Sequence, residues 1–207
     1  MGVKKVLILN GSPRAPLSNS KRYAALFTQF CGLETQTMDL LRADPGAVAQ
    51  GVEVVSDVLL VFPLYADAIP MPVLRTFQAL EEAPPQNRPT VSVLVNCGFL
   101  EPEQCDVAVA MVELFCKRMG WPVGSVLEIG SGEAILDQPF RVFAKWRIKA
   151  LARAVAVGRS RRMKVTMPIS KAFFLKASTK YWLAYGERNG VTGEQMATME
   201  IEGQRPS

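Results

Sequence analysis

Short runs rich in Val, Ile and Leu recur along the first 160 residues, and stretches with helical periodicity lie between them. The four clearest runs occupy residues 6–9, 57–62, 91–95 and 126–129. Because apolar residues in these runs are continuous rather than alternating, they indicate strands that are covered on both faces. Residues 34–40 form a weaker candidate strand, which is typical of a sheet edge.

Helical patterns separate these strands. They occupy residues 20–30, 72–82, 103–119 and 139–157, and a short turn or helix is predicted at residues 44–50. Alternating strands and helices need right-handed crossovers, so they predict a mostly parallel sheet with helices on both faces. Five such strands predict an α/β, doubly wound fold of order 2-1-3-4-5, in which ligands bind beyond the carboxyl ends of the strands.

The pattern changes after residue 158. We therefore predict a core domain over residues 1–160 and a C-terminal extension over residues 161–207. One helix is predicted at residues 171–185, and the rest of the extension is predicted to be mostly irregular. We expect the extension to pack on the core or on a second subunit.

Composition excludes several kinds of site. The chain has no His, and its four Cys residues form no CxxC pair, so we predict no zinc or iron-sulfur centre. Without His, Ser-His and Cys-His nucleophilic catalysis are also excluded. The sequence shows no secretory signal and no apolar run near the roughly 18 to 20 residues that span a bilayer. We therefore expect a soluble, cytoplasmic protein.

The stretch "VLILNGSPRAPLSNSKR" joins the first strand to the first helix. Ser18, Asn19 and Ser20 suit a helix N-terminus, but Lys21 and Arg22 oppose the positive end of the helix dipole. A bound anion would account for both cations, whereas a plainly capped helix would not. The loop lacks the GxxxxGK[ST] and GxGxxG patterns. It therefore suits one terminal phosphate, such as that of a mononucleotide.

The motif "LNGSPR" followed by "SNS" resembles the flavodoxin-like NAD(P)H-dependent FMN reductase and NAD(P)H quinone reductase families, over residues 3–157. The resemblance implies FMN as the cofactor and NAD(P)H as the cosubstrate. It also implies that Ser12, Arg14, Ser18, Asn19 and Ser20 contact the FMN phosphate.

The resemblance assigns two further loops to the flavin ring. Their residues are Pro63, Leu64, Tyr65 and Ala66 in one loop, and Asn96, Cys97, Gly98 and Phe99 in the other. Tyr65 is the best placed proton donor and hence the candidate catalytic residue, although it also fits a half-buried surface aromatic. Asp67 either repels an anionic reduced flavin or caps the loop. The GxG at residues 130–132 is interpreted as a turn near the ligand, because it follows the last strand.

Positive charge is concentrated in one segment. The chain has a net charge of +5, yet residues 141–180 contain 12 Lys or Arg and no Asp or Glu. Arg141, Lys145, Lys149 and Arg153 recur every four residues and form a stripe on one helix. The stripe fits a solvated face, an acidic partner or anionic surface, or the steering of an anionic substrate. No nucleic-acid motif accompanies it, so we predict no specific nucleic-acid partner.

The sequence therefore predicts an FMN-dependent oxidoreductase that transfers hydride from NAD(P)H through flavin to a quinone, a flavin or another small acceptor. The alternative is a flavodoxin-type electron carrier, or a non-catalytic binding module, with a basic partner-binding face. The resemblance also implies a homodimer. The acceptor and the choice between NADH and NADPH stay open.

Overall fold

The structure, a computed structural model, describes residues 4–14 and 17–198. The chain divides into two compact units, Met1–Met167 and Pro168–Ser207. The first unit contains the whole sheet, and the second contains two helices.

A six-stranded parallel sheet forms the centre of the first unit, in the order β2-β1-β3-β4-β5-β6. Its strands are β1 (Lys5–Asn10), β2 (Glu34–Asp39), β3 (Asp57–Pro63), β4 (Thr90–Asn96), β5 (Val123–Ile129) and β6 (Arg162–Val165). Five helices connect them: α1 (Asn19–Cys31), α2 (Pro45–Glu53), α3 (Met71–Glu82), α4 (Asp106–Met119) and α5 (Arg141–Ala156). The predicted doubly wound, flavodoxin-like order of the first five strands is confirmed.

The predicted count of five strands is wrong by one. Strand β6 pairs in parallel with β5 and lies at the sheet edge. Its four residues, "RMKV", include two cations, and only Met163 is buried. Such an edge strand has no continuous apolar run to reveal it, because only one of its faces packs on the protein. The alternation of helix and strand thus continues past residue 158.

Two helical layers cover the sheet. Helices α2, α3 and α4 share one hydrophobic cluster with β1, β3 and β4, in which the rings of Phe77 and Phe115 stack with centroids 3.8 Å apart. Helices α1 and α5 pack against each other and cover the opposite face. Since both faces are covered, β1, β3, β4 and β5 are buried almost throughout, as their apolar runs predict.

The second unit is a pair of helices, α6 (Lys171–Arg188) and α7 (Gly193–Ala197). Ser170 caps α6 by accepting a hydrogen bond from the Phe173 N–H. Helix α7 packs closely on Gly186, where an added Cβ would lie 2.4 Å from the Met196 sulfur. The helix predicted at residues 171–185 is thus present. Its packing on the core or on a second subunit stays a prediction. None of the described helices combines the length and the apolar character needed to cross a bilayer.

A buried carboxylate links β6 to the rest of the sheet. Glu128 of β5 is buried, and its Oε2 lies 3.2 Å from Nζ of Lys164 on β6. Lys164 also binds Asp106, at 2.9 Å. Burial, together with the neighbouring Asp106 carboxyl, raises the pKa of Glu128 to about 7. Lys164 also lies 3.5 Å from Glu103, so it holds the edge strand against three acids, of which Glu128 ionises only near neutral pH.

Replacing Glu128 by Gln is expected to flatten the pH dependence of stability. Between pH 4.5 and about 7, Glu128 is protonated in the folded protein but ionised in the unfolded chain. The free energy of unfolding of wild type therefore falls as the pH rises through this range. Unfolding in urea at about pH 5 and about pH 8 should show wild type losing about 1 to 3 kcal/mol more than Glu128→Gln. The Glu82→Gln variant, which removes an exposed acid of α3 away from Lys164, should behave like wild type, and equal slopes for all three proteins would contradict the assignment.

Candidate functional site

The loops that follow β1, β3, β4 and β5 meet at the carboxyl edge of the sheet. Register pairs Asn10 of β1 with Val61 of β3, Pro63 of β3 with Asn96 of β4, and Asn96 with Ile129 of β5. The chain leaves β1 toward β2 on one side, while β3 lies on the other side, so the strand order reverses here. Open parallel sheets bind their ligands at such a switch point.

Gly11 is required for close packing. Its N–H donates to the Val61 carbonyl at 2.8 Å, and this bond fixes the residue against β3. An added Cβ would lie 2.2 Å from Cγ2 of the buried Val73 in α3. Glycine is therefore needed because α3 approaches the end of β1, and Gly11 is not among the residues with positive φ.

The loop after Gly11 begins with a chain of short-range hydrogen bonds. Asn10 is buried, and its Oδ1 accepts from the Ser12 N–H at 3.2 Å. The Ser12 hydroxyl, also buried, accepts from the Arg14 N–H at 3.3 Å. These turns hold the first half of the loop, whereas residues 15 and 16 lie outside the described residues. Asn10 had not been predicted, although its place directly after the apolar run was a signal.

Ser18 is the N-cap of α1, and its Oγ accepts from the Lys21 N–H at 3.2 Å. A helix begins with N–H groups that have no acceptor within the helix, and these groups carry the positive end of its dipole. The first turn of α1 contains no acidic residue. This helix end therefore offers hydrogen-bond donors and positive potential at the switch point.

Asn96 ties this helix end to two strands. It is buried at the end of β4, and its Nδ2 donates to Ser20 Oγ and to the Phe62 carbonyl, both at 3.1 Å. Ser20 is likewise buried, and its hydroxyl accepts here, so it keeps its own proton to donate. Two predicted residues from distant segments, Asn96 and Ser20, are thus in direct contact.

Acids from the loop after β5 reach the same helix end. The Arg22 guanidinium binds both carboxylate oxygens of Asp137, at 2.9 and 2.5 Å, and also Asn19 Oδ1 at 2.9 Å. Arg14 lies near Glu133, at 3.9 Å. Hydrogen bonding to Arg22 lowers the pKa of Asp137. Asp137 therefore accounts for Arg22 without a bound anion. Lys21, exposed in the same turn, is not paired with any carboxylate of residues 4–14 or 17–198.

Gly132 and Tyr23 close this part of the site. The Tyr23 hydroxyl is buried and donates to the Gly132 carbonyl at 2.7 Å. An added Cβ at Gly132 would lie 2.8 Å from Cβ of Asn96. The GxG is therefore a turn that packs on the site. Tyr23 and Asp137 had not been predicted, because their partners lie more than 100 residues away in the sequence.

The loop after β3 contains a tight turn. Tyr65 and Ala68 exchange backbone hydrogen bonds of 3.1 and 3.0 Å. Between them, Ala66 and Asp67 both have positive φ, 45° and 57°. This geometry, a type I′ turn, presents the Tyr65 side chain with 45% of its surface exposed. Tyr65 is thus accessible rather than packed into the core.

Replacing Ala66 by Asn is expected to stabilise the protein by about 0.5 to 1 kcal/mol, because Asn tolerates the left-handed region that Ala disfavours. Thermal unfolding measures the gain. Ala68→Asn, outside the positive-φ pair, should give no gain. If the two variants had equal stability, the turn would not be strained.

The loop after β4 has a buried beginning and an exposed end. Cys97 is buried, its N–H donates to the Ile129 carbonyl, and its carbonyl accepts from the Gly132 N–H. Hydrogen bonding to Cys105 lowers the pKa of Cys97. Gly98 and Phe99 are exposed, Phe99 by 50%. The exposed aromatic surface of this loop is therefore Phe99.

The predicted site residues fall into three groups at this edge. Four are buried, namely Ser12, Ser20, Asn96 and Cys97. Four are half-buried, namely Ser18, Asn19, Pro63 and Leu64. Five are exposed, namely Arg14, Tyr65, Ala66, Gly98 and Phe99. Within the part of the chain that the structure describes, no three His, Cys, Asp or Glu side chains cluster so as to hold a metal ion.

No protein-family model and no curated protein matches the sequence. Solved structures share the fold. An NAD(P)H:quinone oxidoreductase from Methanothermobacter marburgensis has a TM-score of 0.62 at 14% identity, covering 74% of this chain and 96% of its own. An FMN-dependent NADH-azoreductase from Bacillus anthracis, solved with FMN, has a TM-score of 0.57 at 14% identity, covering 74% and 99%.

A third structure with the same fold is a larger protein. For rubredoxin oxygen:oxidoreductase from Desulfovibrio gigas the TM-score is 0.58 at 15% identity, and the match covers 74% of this chain but only 35% of that protein. At these identities the three likenesses show the fold alone.

Proposed function

We propose that this protein is an FMN-dependent oxidoreductase that transfers hydride from NAD(P)H, through the flavin, to a quinone, a flavin or another small acceptor. One observation carries the proposal. The N-terminus of α1, with no acid in its first turn and with hydroxyl and amide side chains from residues 18–20, lies at the switch point of the sheet. Two solved proteins with this fold, an NAD(P)H:quinone oxidoreductase and an FMN-dependent NADH-azoreductase, support the choice of FMN and NAD(P)H.

The donor set of the site fits the phosphate of FMN. First-turn N–H groups of α1, the hydroxyls of Ser18 and Ser20 and the amide of Asn19 are all donors. Asn96 donates a hydrogen bond to the Ser20 oxygen, which leaves the Ser20 O–H free to donate to a phosphate oxygen. Arg14, Lys21 and Arg22 bring three positive charges to these groups, which outnumber the two nearby carboxylates, Glu133 and Asp137. These residues would hold the phosphate.

The other two loops fit a planar ring. Pro63, Leu64, Tyr65 and Ala66 would border it on one side, and residues 96–99 on the other. The strained turn holds Tyr65 in one exposed position, and Phe99 offers a second aromatic surface. When bound, FMN accepts and donates the hydride. Tyr65 would hold or release a proton at its hydroxyl, which is the only catalytic role that we assign to a side chain.

Absorbance of the purified protein, followed by titration with FMN, tests the proposal. We expect flavin bands or FMN binding, then oxidation of NADH or NADPH that increases when a quinone is added. A protein that binds no FMN would contradict the proposed cofactor. A protein that binds FMN, accumulates a stable one-electron form on reduction and does not oxidise NAD(P)H would be a carrier.

Two predictions remain proposals: the cytoplasmic location, which rests on the sequence pattern, and the homodimer, which the resemblance implies. We propose a cytoplasmic homodimer, and sedimentation of the purified protein at several concentrations measures its subunit number.

A further inference from the structure

The two helical layers of the sheet differ in charge. Helices α1 and α5, on one face, contain seven Lys or Arg and no Asp or Glu. Helices α2, α3 and α4, on the other face, contain five acids and only three cations. We call the first of these surfaces the α1/α5 face. Its charge follows from the tertiary arrangement, because the two helices are more than 100 residues apart in sequence.

The cations of α5 are available to a partner. On α1, Arg22 binds Asp137, and on β6 Arg162 binds Glu113 and Lys164 binds Asp106 and Glu128. By contrast, no carboxylate of residues 4–14 or 17–198 lies within ion-pair distance of the α5 stripe, which consists of Arg141, Lys145, Lys149 and Arg153. The positive potential of the α5 stripe is therefore not neutralised by a carboxylate within the described residues.

Apolar side chains are exposed among these cations. Trp146 is 61% exposed, Val142 is 59% exposed and Phe143 is 45% exposed. Trp146 follows Val142 by four residues and precedes Lys149 by three, so the three side chains share one side of the helix. The Arg147 guanidinium lies 4.7 Å from the centroid of the Trp146 ring. An exposed Trp and Phe surrounded by cations are costly in water and favour a surface that is both anionic and partly apolar.

We propose that the α1/α5 face docks on an anionic lipid bilayer. Lys145, Lys149 and Arg153 pair with the phosphates of the headgroups, and Trp146 and Phe143 enter the interface between headgroups and acyl chains. A nucleic acid would pair with the same cations, but duplex phosphates give Trp146 and Phe143 no apolar environment. Lipid therefore fits both properties of the face and a duplex fits one, while a single strand, whose bases can stack on aromatic side chains, is separated from lipid by the experiment below.

The second unit contains a helix of the same kind. Helix α6 has cations at Lys171, Lys176 and Lys180 and no acid before Glu187. Among its exposed side chains are Phe173, Tyr181 and Trp182. A helix that combines Lys with exposed aromatic residues is typical of binding at a membrane interface. This observation, made within the second unit alone, independently favours lipid.

Co-sedimentation of the full-length protein with vesicles tests the proposal. We expect binding to phosphatidylcholine vesicles that contain about 30% phosphatidylglycerol, and no binding to phosphatidylcholine alone. Binding should weaken strongly between about 0.1 M and about 1 M NaCl. Equal binding to both kinds of vesicle, or to neither, would overturn the proposal.

Two sets of substitutions locate the surface. Lys145→Gln, Lys149→Gln and Arg153→Gln together should weaken vesicle binding about a hundredfold, since each cation near an anionic surface contributes about a factor of five. The matched control, Arg75→Gln, Arg88→Gln and Lys117→Gln, removes three cations outside α1 and α5 and should change binding little. If the control lost as much binding as the first set, the α1/α5 face would not be the docking surface.

Trp146→Ser separates insertion from charge. It should weaken vesicle binding about tenfold while leaving the salt dependence in place.

Fluorescence anisotropy with labelled duplex DNA and single-stranded RNA completes the test, and binding to these but not to vesicles would overturn the proposal in favour of nucleic acid. All these variants should keep wild-type affinity for FMN. The lipid measurements need no flavin, so their outcome is independent of the proposed oxidoreductase activity.

Discussion

Replacing Ser18 and Ser20 together by Ala is expected to weaken FMN binding by on the order of a hundredfold or more. Each hydroxyl would lose a charge-assisted hydrogen bond to the phosphate, worth roughly 1.5 to 3 kcal/mol. Fluorescence titration of FMN, well below the unfolding temperature, measures the loss. Unchanged affinity would exclude the N-terminus of α1 as the phosphate site.

Ser18 also caps α1, so a control must separate capping from phosphate binding. Asp is as good an N-cap as Ser, and its charge suits the helix dipole. Ser18→Asp should therefore keep the free energy of unfolding near the wild-type value while its carboxylate repels the phosphate. Riboflavin, which has no phosphate, provides a second control, and its affinity should hardly differ between wild type and the double Ala variant.

Replacing Gly11 by Ala is expected to destabilise the protein by about 2 to 3 kcal/mol, because the new methyl overpacks the contact between β1 and α3. The methyl would lie 2.2 Å from Val73 Cγ2 and 3.3 Å from Phe62 Cβ. Either the end of β1 or helix α3 must move to relieve this contact. Since the end of β1 leads into the proposed phosphate loop, FMN affinity should fall as well. Urea unfolding and FMN titration measure the two effects.

A second substitution identifies the cause. Val73→Ala removes the clashing methyl. The double variant Gly11→Ala, Val73→Ala should therefore lose at least about 1 kcal/mol less free energy of unfolding than the two single variants lose in sum. Gly98→Ala is the matched control, because its added Cβ would have nothing closer than 3.9 Å. If Gly11→Ala cost no more than Gly98→Ala, close packing would not explain Gly11.

Local sequence was sufficient for the main architecture. Four runs of Val, Ile and Leu predicted the buried strands β1, β3, β4 and β5, since burial on both faces selects such residues directly. The helices between them followed from their periodicity, and the parallel order followed from the handedness of the crossovers. The "GSPR" and "SNS" segments predicted a capped helix at the switch point, because capping depends on residues that are neighbours in the chain.

Other features depended on contacts between distant segments. Strand β6 has two cations in four residues, and it is a strand because it pairs with β5, whose Glu128 binds Lys164. Arg22 had been attributed to a bound anion, but Asp137, 115 residues away, is its partner in the structure. Gly11 follows the first apolar run, but the reason for glycine there, the approach of Val73 from α3, is visible only in the structure.

The charge of the α1/α5 face shows the same division. The stripe on α5 could be predicted from its spacing of four residues, because helix geometry is local. That its cations stay unpaired within the described residues, and that α1 adds further cations beside it, was decided by which helices share a face of the sheet. The sequence by itself determined the elements and their order, since these depend on local periodicity and handedness. The tertiary structure decided which side chains meet, because hydrogen bonds, ion pairs and steric contacts act over a few ångströms of space regardless of separation along the chain.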